Sequence, residues 1–177
     1  MTDVRIIGLE DLPAPLSMLW CQPYVPLQLD LREGVNVRQL RLVLGDKPGN
    51  LLVVGLDEAS GALTTVSLEG ELVLEGDATV VERWRAAALT RGRTLLDVAS
   101  WAGARTGVLR DTRRVRVILD GACVVIVVAE PFEPVLRHAL NLSEVLTDVS
   151  GHLVGFAFPE ISVEHLERLR ANAQVTP

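Results

Sequence analysis

Short runs of alternating apolar and polar residues, each closed by glycine or proline, dominate this chain and restrict it to folds built from short strands. Between residues 35 and 44, Val35, Val37, Leu40, Leu42 and Leu44 alternate with Arg38, Gln39 and Arg41, with a change of phase near Arg38 that fits a bulge. Asp46-Lys47-Pro48-Gly49-Asn50 supplies the dihedrals of a turn. Residues 51–56 read as a more fully buried strand, Ser60-Gly61 as a turn, 62–68 as a third strand and 72–74 as a short fourth. Later, 114–119 and 123–128 read as strands about the turn Asp120-Gly121, and 145–149 with 153–158 as a hairpin about Ser150-Gly151-His152. Residues 135–142 fit a short helix or a strand equally.

Helix signals interrupt the strands. Thr79 with Glu82 makes a capping box, after which Val80, Val81, Trp84, Ala87 and Ala88 share one face as far as Gly92. Thr94 with Asp97 repeats the box more weakly ahead of Leu95, Val98, Ala99 and Ala102. Ser162 caps a last helix, with Ile161 and Leu166 at the staple positions and Val163, Leu166 and Leu169 on its inner face. Near the start, Pro13, Pro15, Pro23 and Pro26 lack amide donors and mark an edge or wrapping segment, anchored by the rings of Trp20 and Tyr24. The expectation is an α+β fold: antiparallel sheets with two or three amphipathic helices in one globular domain, 1–177. Its sub-units would be 31–105 and 106–177, with 1–30 wrapped about them.

Two stretches match in kind. Residues 41–46 (Arg-Leu-Val-Leu-Gly-Asp) parallel 116–121 (Arg-Val-Ile-Leu-Asp-Gly), and 58–63 (Glu-Ala-Ser-Gly-Ala-Leu) parallel 148–153 (Asp-Val-Ser-Gly-His-Leu). This predicts two pseudo-repeated strand-strand-helix units, the second with an insertion over 131–141, where a long loop can carry binding residues at little cost. Residues 148–156 also resemble a family of short bacterial hairpin proteins of unknown function. These share an acidic residue, a turn glycine, then Leu-Val-Gly and an apolar residue, here Asp148, Gly151, Leu153, Val154, Gly155 and Phe156. The resemblance implies a hairpin and no activity.

Motifs that carry chemistry are absent. There is no G-x-S-x-G, no Walker spacing around Lys47 and no G-x-G-x-x-G. Cys21 and Cys123 have no C-x-x-C spacing and read as buried free thiols. His138, His152 and His165 lack the i, i+4 spacing of a metal-binding helix, so neither metal nor cofactor is expected. The opening Met-Thr-Asp-Val-Arg does not resemble a signal peptide, and the longest apolar run, 122–129, is too short to span a membrane. A cytoplasmic protein without membrane contact is the expectation.

Charge gives the strongest functional hint. Residues 1–77 carry a net −7, 78–116 a net +6 and 117–177 a net −5. An acidic body disfavours a general nucleic-acid binder and suits a basic protein partner. Arg105, Arg110, Arg113, Arg114 and Arg116, in the basic middle, are expected to pair with acids of the same chain or to form a protein interface. The leading expectation is a non-enzymatic binding protein, such as an immunity protein that neutralises a basic bacterial toxin. It would dock through Asp57, Glu58, Glu69, Glu71, Glu75 and Asp77. One alternative is a small hydrolase or ligand-binding enzyme whose site joins a C-terminal histidine to Cys123, Glu144 or Asp148. Another is a homo-oligomeric structural protein, such as a dimer paired through exposed strand edges.

Overall fold

The computed structural model of the chain describes residues 4–10, 18–22, 24–31, 38–45, 49–99 and 107–175. Residues 46–48 of the turn before Gly49, Val35, Val37, Trp101, Ala102 and Arg105 lie outside them, as do Pro13, Pro15 and Pro23. Among the described residues there are sixteen strands in three sheets and only two helices, of nine residues each. The α+β expectation is therefore corrected: this is a mostly β protein whose helices are minor.

The first sheet runs β10 (Val108–Asp111), β4 (Gln39–Leu44), β5 (Leu51–Asp57), β6 (Leu63–Glu69), β3 (Val25–Asp30), β2 (Met18–Gln22). The second runs β16 (Ala173–Val175), β7 (Leu72–Glu75), β11 (Arg116–Asp120), β12 (Cys123–Val127), β15 (Leu153–Phe158), β14 (Ser143–Thr147), β13 (Leu136–Leu140), β8 (Ala88–Arg91). β1 (Ile6–Glu10) and β9 (Arg93–Leu96) form a third, two-stranded sheet. Parallel pairs at β10/β4, β8/β13, β7/β11 and β16/β7 make both large sheets mixed rather than antiparallel.

The helix expected from Thr94 is strand β9. Leu9 pairs with Thr94 and Ile6 with Leu96, and this long-range ladder overrides a weak local cap. Asp97, the intended box partner, instead caps its own turn by accepting from the Ala99 amide at 2.8 Å. The first helix, α1 (Ala78–Ala86), is capped by Asp77 and not by Thr79, since the Asp77 carboxylate accepts from the amides of Thr79 and Val80. It stops well before Gly92, because Ala87 is extended and the Ala88 amide donates to Val135 O, drawing the chain into β8. The second, α2 (Val163–Ala171), has the expected Ser162 cap and buries Ile161, Leu166 and Leu169. Val163, placed on its inner face by periodicity, is 72 % exposed. The ambiguous segment 135–142 contains strand β13.

The two large sheets share one core. Leu42, Leu52, Val54, Leu56 and Leu68 of the first meet Val124, Ile126, Phe156 and Phe158 of the second. The second sheet also buries its opposite face, where Ile118, Val125, Val127 and Ala157 lie under Val80, Val81 and Trp84 of α1 and under Phe132. Burial on both faces is why 123–128 lacks the alternation of a half-exposed strand. The buried amide of Asn50 ties the sheets at one end, donating to Val73 O and Val115 O and accepting from the Val73 amide.

The strand-strand-helix repeat is also corrected. Strands β4-β5-β6-β3-β2 and β13-β14-β15-β12-β11 share one antiparallel order. β4 thus corresponds to β13, not to β11. Both orders carry a bulge at the same place, where the Leu31 amide donates to Thr64 O and the Val128 amide to Val154 O. The turn acid equivalent to Asp148 is Asp57, not Glu58. Asp57 accepts from the amides of Ala59 and Ser60, Asp148 from those of Ser150 and His152. Gly61 (φ 73°) and Gly151 (φ 79°) then turn left-handed in each. β9 lies across the first turn, with Leu96 N donating to Gly61 O, and β1 across the second, with Ile6 N donating to Gly151 O, both at 2.9 Å.

These two glycines form a controlled comparison. A Cβ at Gly61 would run into the carbonyl oxygen of Leu96, whereas at Gly151 the nearest atom is Ile6 O at an ordinary 3.7 Å. Gly151→Ala should cost only the left-handed penalty of about 1–2 kcal/mol. Gly61→Ala should cost clearly more, because β9 must also move. Urea unfolding of the two variants measures the difference, and equal losses would contradict the close approach of β9.

Candidate functional site

The six acids proposed as a docking surface do not form one patch. Asp57 ends β5 and Glu58 lies in the turn that leads into β6, whereas Glu69 and Glu71 stand at the other end of β6, roughly 20 Å away for a strand of this length. Asp57 is engaged in its turn, where it also accepts from Ser60 Oγ at 2.8 Å, and Glu58 pairs with Arg38 at 2.9 Å. Glu75 and Asp77 serve the fold through Arg116. Its guanidinium meets Glu75 Oε2 at 2.7 Å, Asp77 Oδ2 at 2.8 Å and Glu130 Oε1 at 3.1 Å, while Arg114 reaches Glu75 Oε1 at 2.9 Å. Hydrogen bonding to Arg116 is the main cause holding the Asp77 carboxyl below its ordinary range, with the Val80 and Thr79 amides adding to it against the opposing effect of burial. Asp77 fastens Arg116 in return and raises its already high pKa. Arg113 is likewise held by Asp111 at 2.7 Å. The arginines at 113, 114 and 116 are therefore matched by acids of the same chain.

Glu69 and Glu71 have different surroundings. They flank Gly70, whose amide donates to Tyr24 O at 3.1 Å, so the β2–β3 and β6–β7 turns are tied together. Tyr24, expected to bury its ring, is instead 85 % exposed there. Glu71 is exposed beside it, and Glu69 accepts from Ser67 Oγ at 3.2 Å.

The three histidines do not converge. His138 is buried in the second sheet between Thr90 Oγ1 at 2.8 Å and Thr147 Oγ1 at 3.1 Å, and burial lowers its pKa below 6.5. His165 meets its helix cap, Ser162 Oγ, at 2.8 Å. His152 Nδ1 lies 3.3 Å from Asp148 Oδ2 on the wall of a cleft of about 310 Å³. Burial alone would raise the Asp148 pKa, but the amides of His152 and Ser150 and the His152 ring together hold it below its ordinary value. Glu144 belongs to a separate buried network, accepting from Trp84 Nε1 at 2.6 Å beside Arg137 at 3.5 Å. Cys123 is a free, half-buried thiol that donates to Pro159 O at 2.9 Å. Neither Cys123 nor Glu144 lines the cleft, and no serine, threonine or cysteine is among its described lining residues. No group of three His, Cys, Asp or Glu side chains among the described residues is arranged to hold a metal ion. No described helix is long and apolar enough to cross a membrane.

No protein-family model matches the chain, and no curated protein matches it.

Two predictions follow the buried charges. The folded state favours neutral His138, so the unfolded chain takes up its proton first as pH falls. His138's contribution should be complete above its ordinary pKa of 6.5 and be lost progressively below it. Asp77 and Asp148, whose pKa values lie below 3.8, act only in a more acidic window. Thermal midpoints measured between about pH 7 and pH 5 should therefore decline in the parent protein and decline less in His138→Gln. Arg116→Met should cost about 2–3 kcal/mol in urea unfolding, because it leaves three carboxylates facing one another without their shared cation.

Proposed function

We propose that this is a non-enzymatic binding protein for a basic protein partner, which it engages through the joined turns that carry Tyr24, Glu69 and Glu71. The observation that carries this reading is the exposure of Tyr24 on a turn whose backbone is tied to Gly70, the residue between those carboxylates. A tyrosine with most of its ring in water gives little to the fold, but it supplies rigid, amphipathic area to an interface. Flanking carboxylates favour a cationic partner and speed its approach. The matching of Arg113, Arg114 and Arg116 by internal acids supports the same choice, since it offsets charge that nucleic acid would otherwise attract. An immunity protein that neutralises a basic toxin works by such occupancy.

A photo-crosslinking analogue at Tyr24, in the native host at low salt, tests the reading. A discrete crosslink to a polypeptide of pI above about 9 is expected. It should be lost in the Glu69→Lys/Glu71→Lys variant and fade as salt is raised. A crosslink that survives this charge reversal, or one made only to acidic chains, rejects the proposal.

A further inference from the structure

The turn at Asp148 carries two side chains that chain reversal does not require. Its counterpart at Asp57 makes the same class of bonds with Ala62 in the place of His152 and with the exposed Ala59 at the tip where Val149 stands. Val149 is 85 % exposed, so core packing does not account for it either. Both His152 and Val149 line the cleft of about 310 Å³, a volume within the range of small-molecule sites. The cleft adjoins the turn that β1 crosses, whereas Tyr24 lies beyond the far end of β6, so the two sites are separate.

The cleft has aliphatic walls and an acidic edge. Val4, Leu153 and Val154 are buried along it, and Val135 and Val149 are exposed at its rim. Its ionisable groups are Arg113, Glu130, Glu133, Asp148 and His152. Arg113 brings its own counter-charge in Asp111 at 2.7 Å, and Glu130 is partly answered by Arg116 at 3.1 Å. Asp148 directs Oδ1 to the turn amides and Oδ2 towards His152. Glu133 is exposed. Among the described lining residues three carboxylates thus stand against one guanidinium that is already matched, with Arg5 beside Gly151 of the turn. Such a site disfavours anions and holds a cationic head group more strongly than a neutral one.

We infer that the cleft binds a small aliphatic amine. The hydrocarbon chain lies against Val135 and Val149, and the ammonium is held at Glu133 and Asp148. The ligand is a free amine and not a side chain of the protein partner, because the cleft is remote from the Tyr24 surface and is of small-molecule size.

Pentylamine is the probe, with pentanol, pentanoate and N-acetyl-lysine methylamide as comparisons, read by calorimetry and by amide shifts of residues 148–154 in the full chain. Saturable pentylamine binding is expected, with pentanol and pentanoate at least roughly threefold weaker. Glu133→Gln and Val149→Ser, both at exposed positions, should each weaken pentylamine roughly three- to fivefold. Absence of saturation, equal binding of pentanol, or unchanged affinity in both variants would overturn the site. Tighter binding of the lysine derivative than of pentylamine would overturn the assignment to a free amine. None of these readouts depends on the Tyr24 crosslink, so the two proposals fail independently.

Discussion

The pairing of β1 with β9 across the two hairpin turns is the contact on which the rest of the molecule depends. Each turn offers a glycine carbonyl, and each is answered by an amide from the other half of the chain: Leu96 to Gly61, Ile6 to Gly151. A hairpin alone is marginal in water. Here the ends of two hairpins are joined through a shared ladder, which brings the two large sheets into position to pack their leucines, valines and phenylalanines against one another. The close approach of β9 at Gly61 shows how little room the junction leaves.

Electrostatics follow from this arrangement. Once β7 runs alongside β11, Glu75 and Asp77 come within reach of Arg114 and Arg116, and acids from a segment of net −7 neutralise cations from a segment of net +6. Within what looks along the chain like a basic band between acidic blocks, Arg113 and Arg116 are drawn into an internal seam, while Arg83, Arg85, Arg91, Arg110 and Arg114 stay exposed. Asp77 does two jobs, capping α1 and holding Arg116, so the same carboxylate fixes a helix start and a strand-edge cation.

Features governed by neighbours in sequence were legible, and those governed by distant partners were not. The hairpin at 145–158 was readable because period-two alternation and a turn glycine sit side by side, and α2 because Ser162, Ile161 and Leu166 form a complete local cap. The Thr94 box was misleading because its competitor, β1, lies about ninety residues away, and no local pattern announces it. The α+β expectation failed for that reason and because α1 ends where Val135 captures Ala88. Of the docking acids, Asp57 and Asp77 could have been recognised as caps from the Ser60 and Thr79 that follow them. The exposure of Tyr24 could not, since aromatic rings are ordinarily buried and nothing beside it in sequence marks an exception. The cleft was equally hidden. It needs Val4, residues 129–135 and the Asp148 turn to meet, and the expected insertion over 131–141 does not lead to it, because 136–140 is β13, the counterpart of β4.

The hydrogen bond from Ile6 to Gly151 also bears on how the chain is made. Ile6 and Gly151 stand 145 positions apart, so contact order is high and β1 remains without that partner until the Gly151 turn has left the ribosome. During that interval one edge of β1 lacks its partner, and unpaired strand edges are what chaperones shield and what otherwise seeds association between chains. A contact that joins the finished molecule is thus one that the growing chain can make only late.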